Sequence, residues 1–368
     1  MKKEEALKLV ATSIKKTKNQ KNGQNPIIDI VSIKTIARLW AGMGCCNEII
    51  YYLNNNDQKK MSIVCKEISM PSVSDGELSC GDARKKNSYI VEKNFYDKFA
   101  AILRNNQINV PEGLYTISTS TNLFICMSKL QGTTLTGLNI EEASKAVCWA
   151  AKLHAFTWQK KAETFVETIG LQKEGTYWYL STRMEELENI QKNKSFESRL
   201  FLAAHAIDKR LKKDPFQSIV HGDFKANNMV CDENNNLGMC DFQYCGKGCC
   251  LKDICYMIAC YCNDDNNNHD LHHHHMEGKL FEIYYNELKV NLDANTDSSA
   301  KIPSYSELLN TVDLCFLDLC RWMAGWGFWG NSFLIPRAKM ILNKIDKGEV
   351  LKDAEEYVTA IDLTYPLY

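Results

Sequence analysis

Four side chains in residues 219–254, IVHGDFKANNMVCDENNNLGMCDFQYCGKGCCLKDI, carry groups suited to chemistry: His221, Asp223, Asn228 and Asp241. The first three fall in the spacing H-x-D-x-x-x-x-N. A turn-forming DENNN stretch follows, and then Asp241 in Cys-Asp-Phe-Gln. Ile219 and Val220 lead into the first motif, and Leu237 to Cys240 lead into the second. Two short strands joined by a turn would set three oxygen-bearing side chains at neighbouring strand ends. Phosphoryl transfer uses such a set: one carboxylate to orient and deprotonate an attacking hydroxyl, and a carboxamide with a second carboxylate to hold Mg2+ on the phosphates. An ordinary hairpin with polar ends would account for a single H-x-D, but not for four polar positions each with an apolar lead-in. The expectation is Asp223 as base, with Asn228 and Asp241 as metal ligands.

These motifs resemble a known family. HGDFKANNMV followed by CDFQ is similar to the aminoglycoside phosphotransferase and choline kinase group, and Asp-Phe-Gln with Asp253 beyond it is most similar to the ecdysteroid-kinase-like (CHK kinase-like) branch. The resemblance runs over roughly residues 35–265 and is most specific in the 219–254 core. It implies an α+β, two-lobed, protein-kinase-like fold: a small lobe with a five-stranded antiparallel sheet and a helix C, and a large, mostly helical lobe. It implies transfer of the γ-phosphate of ATP to a small-molecule hydroxyl. The expected partners are ATP and an alcohol acceptor (a choline-like amine, a steroid-like alcohol or a sugar), with Mg2+. The alternative is a nucleotide-binding pseudokinase or scaffold.

The small lobe is expected over residues 1–130 and the catalytic, acceptor-binding lobe over 131–368. Ala6, Leu7, Val10 and Ile14 recur at helical spacing, so residues 3–18 read as an amphipathic helix. Strand-like runs follow at 33–40, 48–53 and 61–68, with NNND at 54–57 as a hairpin turn. Gly42 and Gly44 lie in the first turn, where glycine lets backbone approach a phosphate. Lys66 ends the third strand and shares its face with apolar Val64 and Ile68. A cation on a half-buried face needs a partner. Glu92, in the Glu-x-x-Phe-Tyr that resembles the family's helix C, is the candidate, on a helix starting near Asp82. Residues 69–82 read as a loop, and 114–118 and 123–127 as two further strands. Met127 to Leu130 fall where kinases cross between lobes and backbone groups hold adenine. No acidic residue occurs there, although relatives often carry one.

Helices are expected at 141–158, 176–191, 195–212, 251–262, 276–290 and 304–324. His154 reads as a core histidine and Asp253 as structural support for the catalytic loop. Trp322, Trp326 and Trp329 lie in RWMAGWGFWGN, whose glycines at 325, 327 and 330 would break a helix and expose ring faces to an acceptor. The segment after Asp241 lacks the Phe-Gly and Ala-Pro-Glu of protein kinases, and fewer than fifteen residues precede the next expected helix. That argues for a small acceptor over a protein.

Composition excludes several classes. Over 368 residues, 45% hydrophobic and 24% charged residues indicate a globular chain of two lobes. A net charge of −1 argues against a general nucleic-acid binder. No apolar run reaches membrane-spanning length, and the lysine-rich N-terminus lacks the apolar core of a secretory signal. The sixteen cysteines are accordingly expected as reduced thiols in the cytoplasm, several of them in the core. The 245–275 Cys/His-rich stretch lacks the paired spacing of a zinc site, and its histidines sit in a polar tract read as an exposed loop.

Overall fold

The computed structural model describes residues 1–18, 28–53, 60–70, 78–119, 121–190, 195–262, 272–294 and 301–367. The expected turn at 54–57 and half of the 69–82 loop (71–77) lie outside them. Helix α1 (Lys3–Lys18) buries Ala6, Leu9, Val10 and Ile14 against one face of a five-stranded antiparallel sheet. The sheet comprises β1 (Ile28–Arg38), β2 (Gly44–Leu53), β3 (Lys60–Ser69), β4 (Gly113–Ser118) and β5 (Asn122–Ser128), in the order β1-β2-β3-β5-β4. The first two strands begin several residues earlier than their apolar runs suggest: the start of β1 is mixed in burial, and the start of β2 holds Cys46 and Asn47, buried where β2 pairs with β1 and β3, partners no local alternation announces.

Ser79 caps α2 (Cys80–Asn94) by accepting the Asp82 amide, so the helix takes in the end of the expected loop. One π-helical turn (Phe95–Phe99) joins it to α3 (Ala100–Asn105). The face of the sheet opposite α1 packs on these helices through Val64, Ile68, Phe95 and Phe99, in a core continuous with the large lobe.

After β5 the chain passes to β6 (Thr133–Thr134), which pairs with β8 (Met229–Cys231) and, through it, β9 (Leu237–Met239). Helix α4 (Ile140–Phe156) opens with a capping box between Asn139 and Glu142. Then come α5 (Lys160–Phe165), α6 (Met184–Glu188), α7 (Ser195–Lys213), β7 (Gln217–Val220), β10 (Gly246–Cys249), α8 (Leu251–Tyr261) and α9 (His272–Ala294). The chain closes with α10 (Tyr305–Leu309), α11 (Val312–Ala324), α12 (Ile335–Asp346) and α13 (Ala354–Thr364).

Several expectations are corrected. β7, which leads into His221, pairs with β10; the hairpin across DENNN is β8–β9, which starts after Asn228. Residues 176–191 form no continuous helix. The amides of Gly175, Thr176 and Tyr177 donate instead to Lys247, Tyr244 and Gly222 carbonyls, which holds the start of this segment irregular against the loop bearing Asp223; only a helical turn at Leu180–Thr182 and α6 follow. Residues 304–324 make two helices, because Asn310 and Thr311 cap the first and start the second. His272–His275 open α9 and are not loop.

Candidate active site

The sheet positions Lys66. It lies in the middle of β3, paired with Cys46 and Ile125, and is only 7% exposed. Its Nζ lies 2.6 Å from Glu92 Oε1 on α2 and 2.7 Å from Asp241 Oδ1. One ammonium thus ties the sheet, α2 and the end of the β8–β9 hairpin. Burial pulls the Lys66 pKa down, but the Asp241 and Glu92 carboxylates outweigh it and hold the side chain charged. Burial pushes Glu92 up to about 7, and among the described residues its Oε2 has no hydrogen-bond partner. For Asp241 burial acts in the same sense, but Lys66 and Lys225 prevail and lower its pKa.

The catalytic loop is held from below. His221 and Gly222 donate their amides to the two oxygens of Asp253, at 2.7 and 3.0 Å. Gly222 has φ +83°, and a Cβ there would stand 2.2 Å from the Tyr244 carbonyl oxygen, so only glycine fits. Burial lowers the His221 pKa and keeps the ring neutral. In the tautomer this network favours, Nε2 donates to the Cys240 carbonyl (3.0 Å) while Nδ1 accepts the Asp223 amide (3.3 Å). His154 is fully buried between the Tyr284 hydroxyl, 2.8 Å from Nδ1, and Asp253, 3.4 Å from Nε2.

Asp223, Asn228 and Asp241 meet where this loop turns into β8. Asn228 Nδ2 donates to the Asp223 carbonyl at 2.9 Å and to its Oδ2 at 3.3 Å. The Cys240 amide donates to the Asn228 carbonyl, so Asp241 begins beside Asn228 across the hairpin end. The Asn228 side-chain nitrogen is committed to Asp223, and among the described residues no hydrogen bond is made to its oxygen. Asp241 takes φ +70°, an uncommon conformation for a non-glycine residue. Phe242 then stacks on Phe95 of the π-helical turn, with ring centroids 3.7 Å apart, so the metal-ligand candidate and the Glu92-bearing helix share a packing contact.

Sequence reading missed several participants. Lys225 places its ammonium 2.7 Å from Asp223 Oδ2; burial opposes its charge, but Asp223 and Asp241 raise its pKa. Its position two residues after the base was the available signal. The Tyr256 hydroxyl reaches Asp223 Oδ1 at 3.4 Å, and Gln243 Nε2 donates to Asp241 Oδ1 at 3.0 Å. Nothing local in the sequence singles out Tyr256.

The glycine turn is divided in role. Gly42 has φ +70° and open space around its Cβ position. Gly44 is required by the sheet itself, since a Cβ there would sit 2.0 Å from the Glu67 carbonyl oxygen. Met127 is buried near the end of β5, two residues before the chain leaves the sheet. Trp322 is buried within α11, contrary to the expected exposure of its ring, whereas Trp326 and Trp329 are about half exposed beyond the helix end. Among the described residues, no group of three or more His, Cys, Asp or Glu is placed to hold a metal, and Cys255 and Cys260 lie on α8. All sixteen cysteines are unbridged.

A family model described as the phosphotransferase enzyme family matches residues 74–279, more than half of the chain. The chain belongs to that family. The match does not single out the ecdysteroid-kinase-like branch, and no curated protein matches the sequence. Among solved structures, a thermostable mutant of the aminoglycoside phosphotransferase APH(4)-Ia, in complex with ADP and hygromycin B, shares the fold. It has a TM-score of 0.50 and 10% identity, with 86% of this chain and 94% of that chain covered. Choline kinase LicA from Streptococcus pneumoniae also aligns (TM-score 0.47, 10% identity, 98% and 99% covered). So does macrolide 2'-phosphotransferase MphH from Brachybacterium faecium (TM-score 0.46, 12% identity, 85% and 94% covered). No helix among the described residues is long and apolar enough to cross a membrane.

Proposed function

We propose that this phosphotransferase moves the γ-phosphoryl group of ATP to the hydroxyl of a small molecule. The observation that carries the reading is Lys66 Nζ bridging Glu92 and Asp241, with Asp223 and Asn228 hydrogen-bonded to each other in the loop that enters β8. In this reading Lys66 holds the α- and β-phosphates, Glu92 orients it, and the turn at Gly42 and Gly44 covers the nucleotide. Backbone near Met127 takes the adenine. Asp223 accepts the acceptor's proton as the acceptor oxygen bonds to the γ-phosphorus and the bond to the bridging oxygen breaks, releasing ADP. The exposed Trp326 and Trp329, with Trp322 behind them, border the acceptor side. The short passage from Asp241 to α8, which opens at Leu251, favours a small acceptor over a protein.

Magnesium fits these residues. A carboxylate and a carboxamide oxygen are hard donors at adjacent strand ends, which suits a cation that keeps several waters and leans on substrate phosphates. When bound, the ion neutralises charge on the phosphates, and Asn228 and Asp241 are the residues that would hold it.

Calorimetric titration of ATP with Mg2+ and with a chelator tests the reading. Tighter binding with the metal, lost in Asp241→Asn and retained in Asp223→Asn, is expected. Equal binding in chelator, together with no alcohol-dependent ATP consumption, would instead support a nucleotide-binding pseudokinase.

A further inference from the structure

Beside Asp223 the chain builds a continuous wall of aromatic rings. The Tyr256 hydroxyl touches Asp223 and lies 3.2 Å from the Tyr177 hydroxyl. Tyr177 meets Trp322 edge-on at 4.8 Å, Trp322 meets Trp329 at 5.1 Å, and Trp329 stacks on Trp326 at 5.2 Å with parallel rings. At the outer end, Phe328 and Trp329 have φ of +63° and +43°, conformations that bulky residues adopt only under constraint. The wall thus runs from the candidate base to the surface.

Such a wall can cage a cation, but here the protein supplies its own. The Arg183 guanidinium carbon lies 5.7 Å from the Trp322 ring and 5.9 Å from the Tyr177 ring, and its Nε donates to the Tyr177 carbonyl at 2.8 Å. Arg183 shares one carboxylate with Arg84: Glu186 Oε1 lies 2.7 Å from Arg183 Nη1 and 3.9 Å from Arg84 Nη1. Two guanidiniums against one acid leave this corner positive. The carboxylates that the described contacts bring to the rings are already engaged. Asp318 is held by Lys252, Arg321 and the Trp178 indole, and Asp223 is held by Lys225. An ammonium ion entering here would meet repulsion and no vacant acid. Among the described residues the Trp322 indole N–H, closed off beneath the wall, has no hydrogen-bond partner.

We propose, building on the phosphotransfer reading, that the acceptor is a neutral or anionic alcohol with a flat apolar body. Arg183 selects against amines. Arg183 is a specificity residue of the acceptor site.

Matched probes test this through quenching of tryptophan fluorescence in the full chain, with the Asp223→Asn protein run in parallel so that affinity is read apart from transfer. One set is the para-substituted benzyl alcohols bearing a methyl, a carboxylate or an aminomethyl group; the other is choline and its uncharged carbon isostere, dimethylbutanol. The methyl and carboxylate members should bind at least about 10-fold more tightly than the aminomethyl member, a difference on the order of 1.4 kcal/mol. Dimethylbutanol should likewise outbind choline. Arg183→Met should abolish the discrimination and Arg183→Glu should invert it, in proteins whose ATP binding shows that they are folded. Trp326→Leu, at an exposed position, should weaken every probe without changing the order. Tighter binding of either cationic probe, discrimination that survives Arg183→Met, or no quenching by any probe at millimolar concentration overturns the proposal. If the order holds while no alcohol is phosphorylated, the phosphotransfer reading fails and the site's selectivity stands; transfer to an amine alone fails the selectivity and keeps the reading.

Discussion

Glu92 and Lys225 set the electrostatics of the site from opposite sides of Asp241, and each yields a prediction. Glu92 is raised to about 7 by burial, so the Lys66–Glu92 pair is complete only once Glu92 has lost its proton. Activity, read as kcat/KM for ATP, should therefore rise with pH through about 7, and Glu92→Gln should lower the plateau and remove that limb; a limb unchanged in the variant would contradict the assignment. The stability sign is opposite. A carboxyl whose folded pKa exceeds its unfolded value of about 4.3 favours the protonated form, so its contribution is full below that unfolded value and is lost as pH rises through about 7. Lys225 holds its ammonium on Asp223, and in the proposed transfer it would offset charge on the phosphoryl group. Lys225→Met should lower kcat by about 10²-fold, the scale of losing one preorganised donor, with ATP affinity little changed by titration. Lys66, Glu92, Asp223, Asn228 and Asp241 were legible because each motif type has a physical reason at its spacing; Lys225 was missed although it lies two residues after Asp223. Tyr256 and Arg183 were not legible, because only tertiary folding brings α8 and the 172–183 segment to the base.

The elements matter through how they hold the catalytic loop. Asp253 in the first turn of α8 satisfies two loop amides and contacts His154, so it links α8, α4 and the loop. Asp253→Ala would leave two buried amides unpaired, each costing about 1–3 kcal/mol. The expected outcome is a clear drop in melting temperature by calorimetry together with reduced turnover; an unchanged melting temperature would contradict the role. The helices of periodic apolar sequence, α1, α4 and α8, were readable from the chain. Residues 176–191 were not, since the amides at the start of that stretch, from Gly175 to Tyr177, are satisfied by Gly222, Tyr244 and Lys247, partners distant in sequence. The same limit applies to β7, whose partner β10 lies beyond the hairpin that looked like its natural mate.

At the scale of the whole molecule, the five-stranded sheet with α2 stands over a helical body, and Lys66, Glu92 and Asp241 clasp the two. A nucleotide bound at that clasp should stabilise the folded chain by RT ln(1 + [L]/Kd), so thermal unfolding should shift upward with ATP and Mg2+ and much less in Lys66→Met. The two-lobed plan was legible from the length of the chain and from what the resemblance of its motifs to the phosphotransferase group implies. The final helices, α12 and α13, were missed because their apolar positions follow a glycine- and aromatic-rich stretch that hides the start of a helical period. The most direct measurement is mass-spectrometric detection of phosphoryl transfer from ATP to a panel of small alcohols, comparing the natural chain with Asp223→Asn. The account predicts a phosphorylated alcohol with the natural chain and turnover lowered about 10²–10⁴-fold in the variant; equal turnover in the two proteins would contradict it.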